Sequence, residues 1–182
     1  MNERELVLPS SDAKIGFDFY YPQGKEIAGI SAQISKITRE DSLLAPQGQE
    51  EVEGDIRENS YVIIGNGEEL FGFSKTNFLA PGWVEASKSY VDPSYRGQGI
   101  HTLIKQQIIS RNPGANVISI TASLAVEHVN AILGFRKQSF HRLPPNVLMA
   151  LVREYAGSME KIVFQFKNMF AGKGLWVRKP NL

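Results

Sequence analysis

The residues best placed to do chemistry stand together in Arg96-Gly97-Gln98-Gly99. The loop lies between an apolar run ending at Val91 and a stretch in which Ile100, Leu103, Ile104 and Ile108 recur at helical spacing. A strand, a tight glycine loop and a helix N-terminus in immediate succession make a frame for an anion. The first helical turn has N–H groups without intrahelical partners and carries the positive end of the macrodipole, and glycines let the backbone come close to a ligand. The amides of Gly97 to Thr102 therefore suit a phosphate or pyrophosphate, although an ordinary strand-to-helix connection has the same local pattern. Neither a Walker lysine nor a Rossmann acidic partner accompanies the glycines, which weighs against a nucleotide-binding protein of either type.

Other chemistries are narrowed by composition. The chain has no cysteine, which removes disulfides, thiolate metal sites and a cysteine nucleophile. His101, His128 and His141 do not fall at i,i+4 spacing around a carboxylate, so no metal site is expected. With 182 residues, 42% hydrophobic and 21% charged, the chain resembles an ordinary soluble globular protein with one substantial core. A formal net charge of +1 supplies no basic stripe for nucleic acid or a membrane surface. The opening MNERELVL lacks the basic-then-apolar order of a secretory signal, and no apolar run has the length of a membrane span. A cytoplasmic protein is expected.

The elements that must position the loop can be read from periodicity. Lys14 to Pro22 is an aromatic-rich first strand, with Phe17, Phe19 and Tyr21 on one core-facing side. Ile27, Ile30, Ile34 and Ile37 mark an amphipathic helix, and Glu50 to Glu58 a second, its acids suited to the first turn. Tyr61 to Ile64, Leu70 to Leu79 and Trp83 to Val91 form an antiparallel meander with turns at Gly65-Asn66-Gly67 and Pro81-Gly82. After the loop helix, Val117 to Thr121 reads as a buried strand. A strand-helix-strand crossover makes it parallel to Trp83–Val91, so a mixed α+β architecture follows. Leu124 to Leu133 is a short helix closed by Gly134, and Phe135 to Arg142 a strand. Pro144-Pro145 opens a tail where Met159, Ile162, Val163, Phe166, Met169 and Phe170 recur at helical spacing, as core or as a homodimer face, before Leu175-Trp176-Val177.

The run Val91-Asp-Pro-Ser-Tyr-Arg-Gly-Gln-Gly-Ile resembles the acetyl-CoA loop of the GNAT acyltransferases: Gln or Arg, two residues, Gly, one residue, then Gly or Ala. Arg96 and Gly99 fill the first two places, and His101 departs from the third. Ile132-Leu133-Gly134-Phe135 independently resembles the Leu-Gly-Phe ending that follows the fourth helix of many members. The resemblance implies one domain over 1–182, with a helical and strand extension from about 146. It also implies a mixed, mostly antiparallel sheet flanked by helices, with a V-shaped splay between the fourth strand, Trp83–Val91, and the fifth, Val117–Thr121. Leu43-Leu44-Ala-Pro, EEVEGDIRENSYVII and LGFRKQSFHRLPP are similar in layout to amino-acid acetyltransferases of the N-acetylglutamate synthase group, so the expected partner is a small-molecule amine or amino acid.

By that resemblance acetyl-CoA is the co-substrate and its acetyl group passes by direct attack, without a covalent enzyme intermediate. Ser89, Tyr90 and Val91 would hold the pantetheine arm through their backbone. Gly97, Gln98, Gly99, Ile100, His101 and Thr102 would hold the pyrophosphate. Arg96 would add charge or merely start the loop, and Leu43 to Gln49 would shape acceptor choice. Glu85 stands where histone-type members carry their catalytic glutamate; a solvent-facing strand residue is the alternative, and many members use ordered water instead. Ser123 takes the place of a CoA-binding asparagine. Asn130 takes that of the tyrosine that protonates the CoA sulfur, and an amide is no general acid at neutral pH. The proton must then come from Tyr95, His128, His101 or water, or the protein binds CoA without turnover as a sensor or interaction module.

Overall fold

Tyr61–Gly65 is buried at every position because it lies inside a sheet covered on both faces. Tyr61 and Ile63 enter one core and Val62 and Ile64 the other, as the period of two along a strand requires. In the computed structural model, which describes residues 17–66, 68–156 and 174–180, this run is β2 of a seven-stranded sheet ordered β1-β2-β3-β4-β5-β7-β6. The strands are β1 Phe19–Tyr20, β2 Tyr61–Gly65, β3 Leu70–Ala80, β4 Trp83–Val91, β5 Asn116–Thr121, β6 Arg136–Gln138 and β7 Gly174–Arg178. The helices are α1 Glu26–Glu40, α2 Gln49–Arg57, α3 Ile100–Arg111, α4 Leu124–Ile132 and α5 Pro145–Ala156. Every neighbouring pair is antiparallel except β4 and β5, which α3 connects. The mixed, mostly antiparallel α+β architecture expected from the sequence is therefore the observed one.

Helices α1 and α2 cover one face, laying Ile27, Ile30, Ile34, Val52 and Ile56 on Tyr61, Ile63 and Phe73. Helix α3 covers the other, with Ile100, Ile104 and Ile108 on Val62, Ile64, Val84, Ala86 and Val117. Each buried isoleucine contributes about 1.5–3 kcal/mol relative to exposure, so these stripes hold the helices to the sheet. Val147 and Leu151 of α5 pack on Leu79, Ile118, Leu175 and Val177. Ile118 follows Val117 on β5, so α5 lies on the same side as α1 and α2.

Several sequence expectations are corrected. The first strand pairs only over Phe19–Tyr20. Phe17 and Phe19 do pack in the core beside α3, but Tyr21 lies beyond the pairing and is 50% exposed. Its ring sits by Arg111 at 5.3 Å, and its hydroxyl accepts from Gln107. The strand expected over Phe135 to Arg142 holds only for Arg136–Gln138. A 3-10 turn over Phe140–Arg142 then brings Phe140 and Leu143 back onto the core under α5. The tail after Pro144 begins with a helix the sequence reading missed, Pro145 standing at its first position where a missing N–H costs nothing. The Met159 to Phe170 stripe lies outside the described residues. Leu175-Trp176-Val177 is no appendage to the sheet: β7 is hydrogen-bonded between β5 and β6. Among the described residues no helix is long and apolar enough to cross a membrane.

Candidate active site

The site begins where β4 leaves β5. The two strands pair only at Trp83↔Asn116, Val84↔Val117 and Glu85↔Ile118. Beyond Glu85, β4 continues to Val91 along β3, while β5 continues along β7, so the β4 edge from Ala86 onward has no strand partner. A bulge sets this divergence. The β3–β4 register passes from Lys75↔Ser87 to Phe73↔Tyr90, one residue longer on β4, and Lys88 takes the left-handed region at φ 47. The Ser74 hydroxyl, 2.9 Å from both the Ser87 carbonyl and Ser89 Oγ, donates to that carbonyl where the regular ladder shifts.

A cavity of about 650 Å³ occupies the splay, a size suited to a small-molecule site. The glycine loop forms one wall. Asp92 accepts from the Ser94 amide at 2.8 Å and starts a 3-10 turn over Pro93–Tyr95. Gly97 and Gly99 then take φ 79 and 82, and Gly99 caps α3. A Cβ at either would meet nothing within 4 Å, so torsion rather than crowding requires glycine in this state. Gly97, Gly99, Ile100, His101 and Thr102 line the cavity, as do Ser89, Tyr90 and Val91 of β4 and Ser123 and His128 on the α4 side. Arg96 also lines it, but its Nε donates to the Val91 carbonyl at 3.2 Å and so braces the loop. Gln98 is exposed outside the lining, its side-chain amide donating to the Ser94 carbonyl.

Glu85 is not the solvent-facing alternative, being 1% exposed at the base of the splay. Asn77, directly across on β3, donates to Glu85 Oε2 at 3.2 Å and to Ser87 Oγ at the same distance. Behind this floor is a second buried polar group that sequence reasoning missed. Lys105 of α3 is 1% exposed and donates from Nζ to Ser119 Oγ at 2.5 Å. Burial pushes its pKa from 10.5 down to about 7, against the opposing pull of the Glu85 charge. Asn130 is fully buried, does not line the cavity, and donates to the same Ser119 oxygen at 3.3 Å. Two signals pointed here. Lys105 follows His101 by one helical turn along the edge of the isoleucine stripe, and Ser119 is a polar residue inside an apolar strand.

The three side chains considered as acids are placed differently. Burial, followed by the charge of Lys105, lowers the His101 pKa from 6.5 to about 3, so its imidazole is neutral at physiological pH. His101 Nε2 is buried without a partner. The Tyr95 ring lines the cavity, but its hydroxyl donates to Glu69 at 3.0 Å, which leads the causes that raise its pKa. His128 lines the rim and is exposed. On the far side, Asp41, Leu43, Leu44 and Ala45 enter from the α1–α2 connection and Glu154 from α5. Among the described residues no group of three or more metal-ligating side chains occurs.

No protein-family model and no curated protein sequence matches this chain. Solved structures do. N-acetylglutamate synthase from Neisseria gonorrhoeae, complexed with coenzyme A and N-acetyl-glutamate, aligns at 15% identity and TM-score 0.66, over 91% of this chain and 35% of that one. The chain thus spans about a third of that enzyme's length. Rv2747 from Mycobacterium tuberculosis, in complex with CoA, aligns at 14% identity and TM-score 0.68, over 91% of this chain and 99% of that one. An acetyltransferase of the GNAT family from Staphylococcus aureus Mu50 aligns at 14% identity and TM-score 0.55, over 71% of this chain and 90% of that one.

Proposed function

We propose that this chain, which has the fold of the GNAT acetyltransferases, is an acetyl-CoA-dependent N-acyltransferase acting on the primary amine of a small molecule or amino acid. The observation that carries the reading is the opening of β4 from β5 directly beside a glycine-capped helix N-terminus, over a buried carboxylate. The residues present fit the co-substrate: α3 offers unpartnered first-turn amides, the β4 edge offers unpaired backbone, and the buried His101 Nε2 lacks a partner. Acetyl-CoA would supply the activated acyl group as a thioester. The amides of Gly97 to Thr102 would hold its pyrophosphate, and Ser89, Tyr90 and Val91 would orient the pantetheine arm. Arg96 would hold the loop in shape while adding charge at its rim.

Glu85 would take the proton of the attacking amine, directly or through a water, with Asn77 fixing the carboxylate. The acceptor side carries the carboxylates of Asp41, Glu85 and Glu154, which attract an ammonium, and the cation of Lys88. That mixture suits an amine or amino acid of small size. A CoA-binding module without turnover is the second reading, favoured by Asn130 in the place of an acid and by the neutral imidazole of His101. Calorimetric titration with acetyl-CoA, followed by free-thiol release over a panel of amino acids and polyamines, separates them. Binding with thiol release supports the transferase, binding with none across the panel supports the silent module, and no binding defeats both.

A further inference from the structure

We propose that Ser119 gives the proton to the departing CoA thiolate and that Lys105 resupplies Ser119, a relay standing in for the acid that Asn130 cannot be. The inference rests on the acyl-transfer reading above. Ser119 Oγ accepts from Lys105 Nζ at 2.5 Å and from Asn130 Nδ2 at 3.3 Å. A hydroxyl has two lone pairs and one proton, so with both lone pairs engaged only the proton remains to be placed. With Lys105 protonated, no described side chain or carbonyl accepts it, and Ser119 lines the cavity at the splay. Asn130 and Lys105 do not line it. They lie behind Ser119, and their donated hydrogen bonds leave its O–H to the cavity.

The group behind the serine is suited to resupply. Lys105 is faced by Glu85 from β4, by His101 from its own helix, by Ser119 from β5 and by the ring of Phe135 at 5.3 Å. Asn130 of α4 donates to the same serine oxygen. Burial has brought its pKa to about 7, so at neutral pH it holds and releases a proton with nearly equal ease. As the carbon–sulfur bond breaks, its electron pair stays on sulfur and the Ser119 proton moves there. Ser119 Oγ then takes a proton from Lys105 Nζ, leaving a neutral amine. The acceptor nitrogen has given one proton to Glu85, and once the products leave, that proton returns by way of cavity water and the Ser119 hydroxyl to Lys105, which closes the cycle. One proton passes from nitrogen to sulfur, and no co-reactant is required.

The test needs no acceptor. The thiol of free CoA bound to the protein is titrated by thiolate ultraviolet absorbance in the wild type, Ser119→Ala and Lys105→Met, with acetyl-CoA affinity measured in parallel. In the wild type the bound thiol should ionise about one pH unit below its ordinary value of roughly 8.5, a tenfold change in the equilibrium constant. Both variants should return it toward that value, and Ser119→Thr should keep it lowered. Acetyl-CoA, which has no free thiol, should bind wild type and Ser119→Ala alike. If Lys105→Met does not fold, Ser119→Ala decides the matter alone. An identical thiol titration in wild type and Ser119→Ala, with CoA bound in both, overturns the relay and leaves the transferase reading standing. Failure of the wild type to bind CoA removes that reading, and the relay with it.

Discussion

Lys105→Met should abolish a rise in stability on the alkaline side of neutrality. The lysine has a pKa of about 7 in the folded protein against an ordinary 10.5. Below the lower value it is charged in both states, and the whole cost of burying the cation is present. As pH rises, the folded protein releases this proton while the unfolded chain keeps it, so the unfolded state binds more protons and stability increases. At 1.36 kcal/mol per unit the full cost is about 5 kcal/mol, and roughly 2 kcal/mol of it is relieved between about pH 7 and 9. Urea unfolding at successive pH values measures this directly, because such a gain moves the midpoint by about 1 M. The comparison is of slopes, so any uniform loss from removing the hydrogen bond to Ser119 or the charge facing Glu85 does not disturb it. Equal pH slopes in wild type and Lys105→Met would refute the assignment of a buried, titrating lysine.

Gly99→Val places a β-branched residue at φ 82 and should cost about 1–2 kcal/mol of stability; acetyl-CoA affinity by calorimetry should also fall. Glu85→Gln should lower kcat about a hundredfold with acetyl-CoA affinity unchanged. It should also move the Lys105 titration to lower pH, since the Glu85 charge opposes the depression of that pKa. Ser74→Ala removes the β3 hydroxyl that holds Ser87 and Ser89 on either side of the β4 bulge, and should cost about 1 kcal/mol in urea unfolding. It should weaken acetyl-CoA binding as the β4 edge loosens.

Local pattern was enough to determine the elements and their order through β5. The β-branched run Tyr61–Ile64, the limits Trp83–Val91 and the start of α3 at Ile100 are all as the sequence implies, because burial period and turn residues act over a few neighbours. The glycine loop was legible for the same reason: Gly97 and Gly99 supply left-handed torsions that the local chain path demands. The limit of that legibility shows at β7, whose place between β5 and β6 depends on hydrogen bonds across a long sequence separation. It shows again at Asn130, which chain position puts in the place of the acid at the CoA sulfur and packing puts behind Ser119. Lys105, Ser119 and Glu85 lie on α3, β5 and β4, and nothing in their spacing announces that they share one low-dielectric region. Desolvation and charge coupling depend on distances through space, and these existed only once β4 and β5 had parted beneath the loop helix.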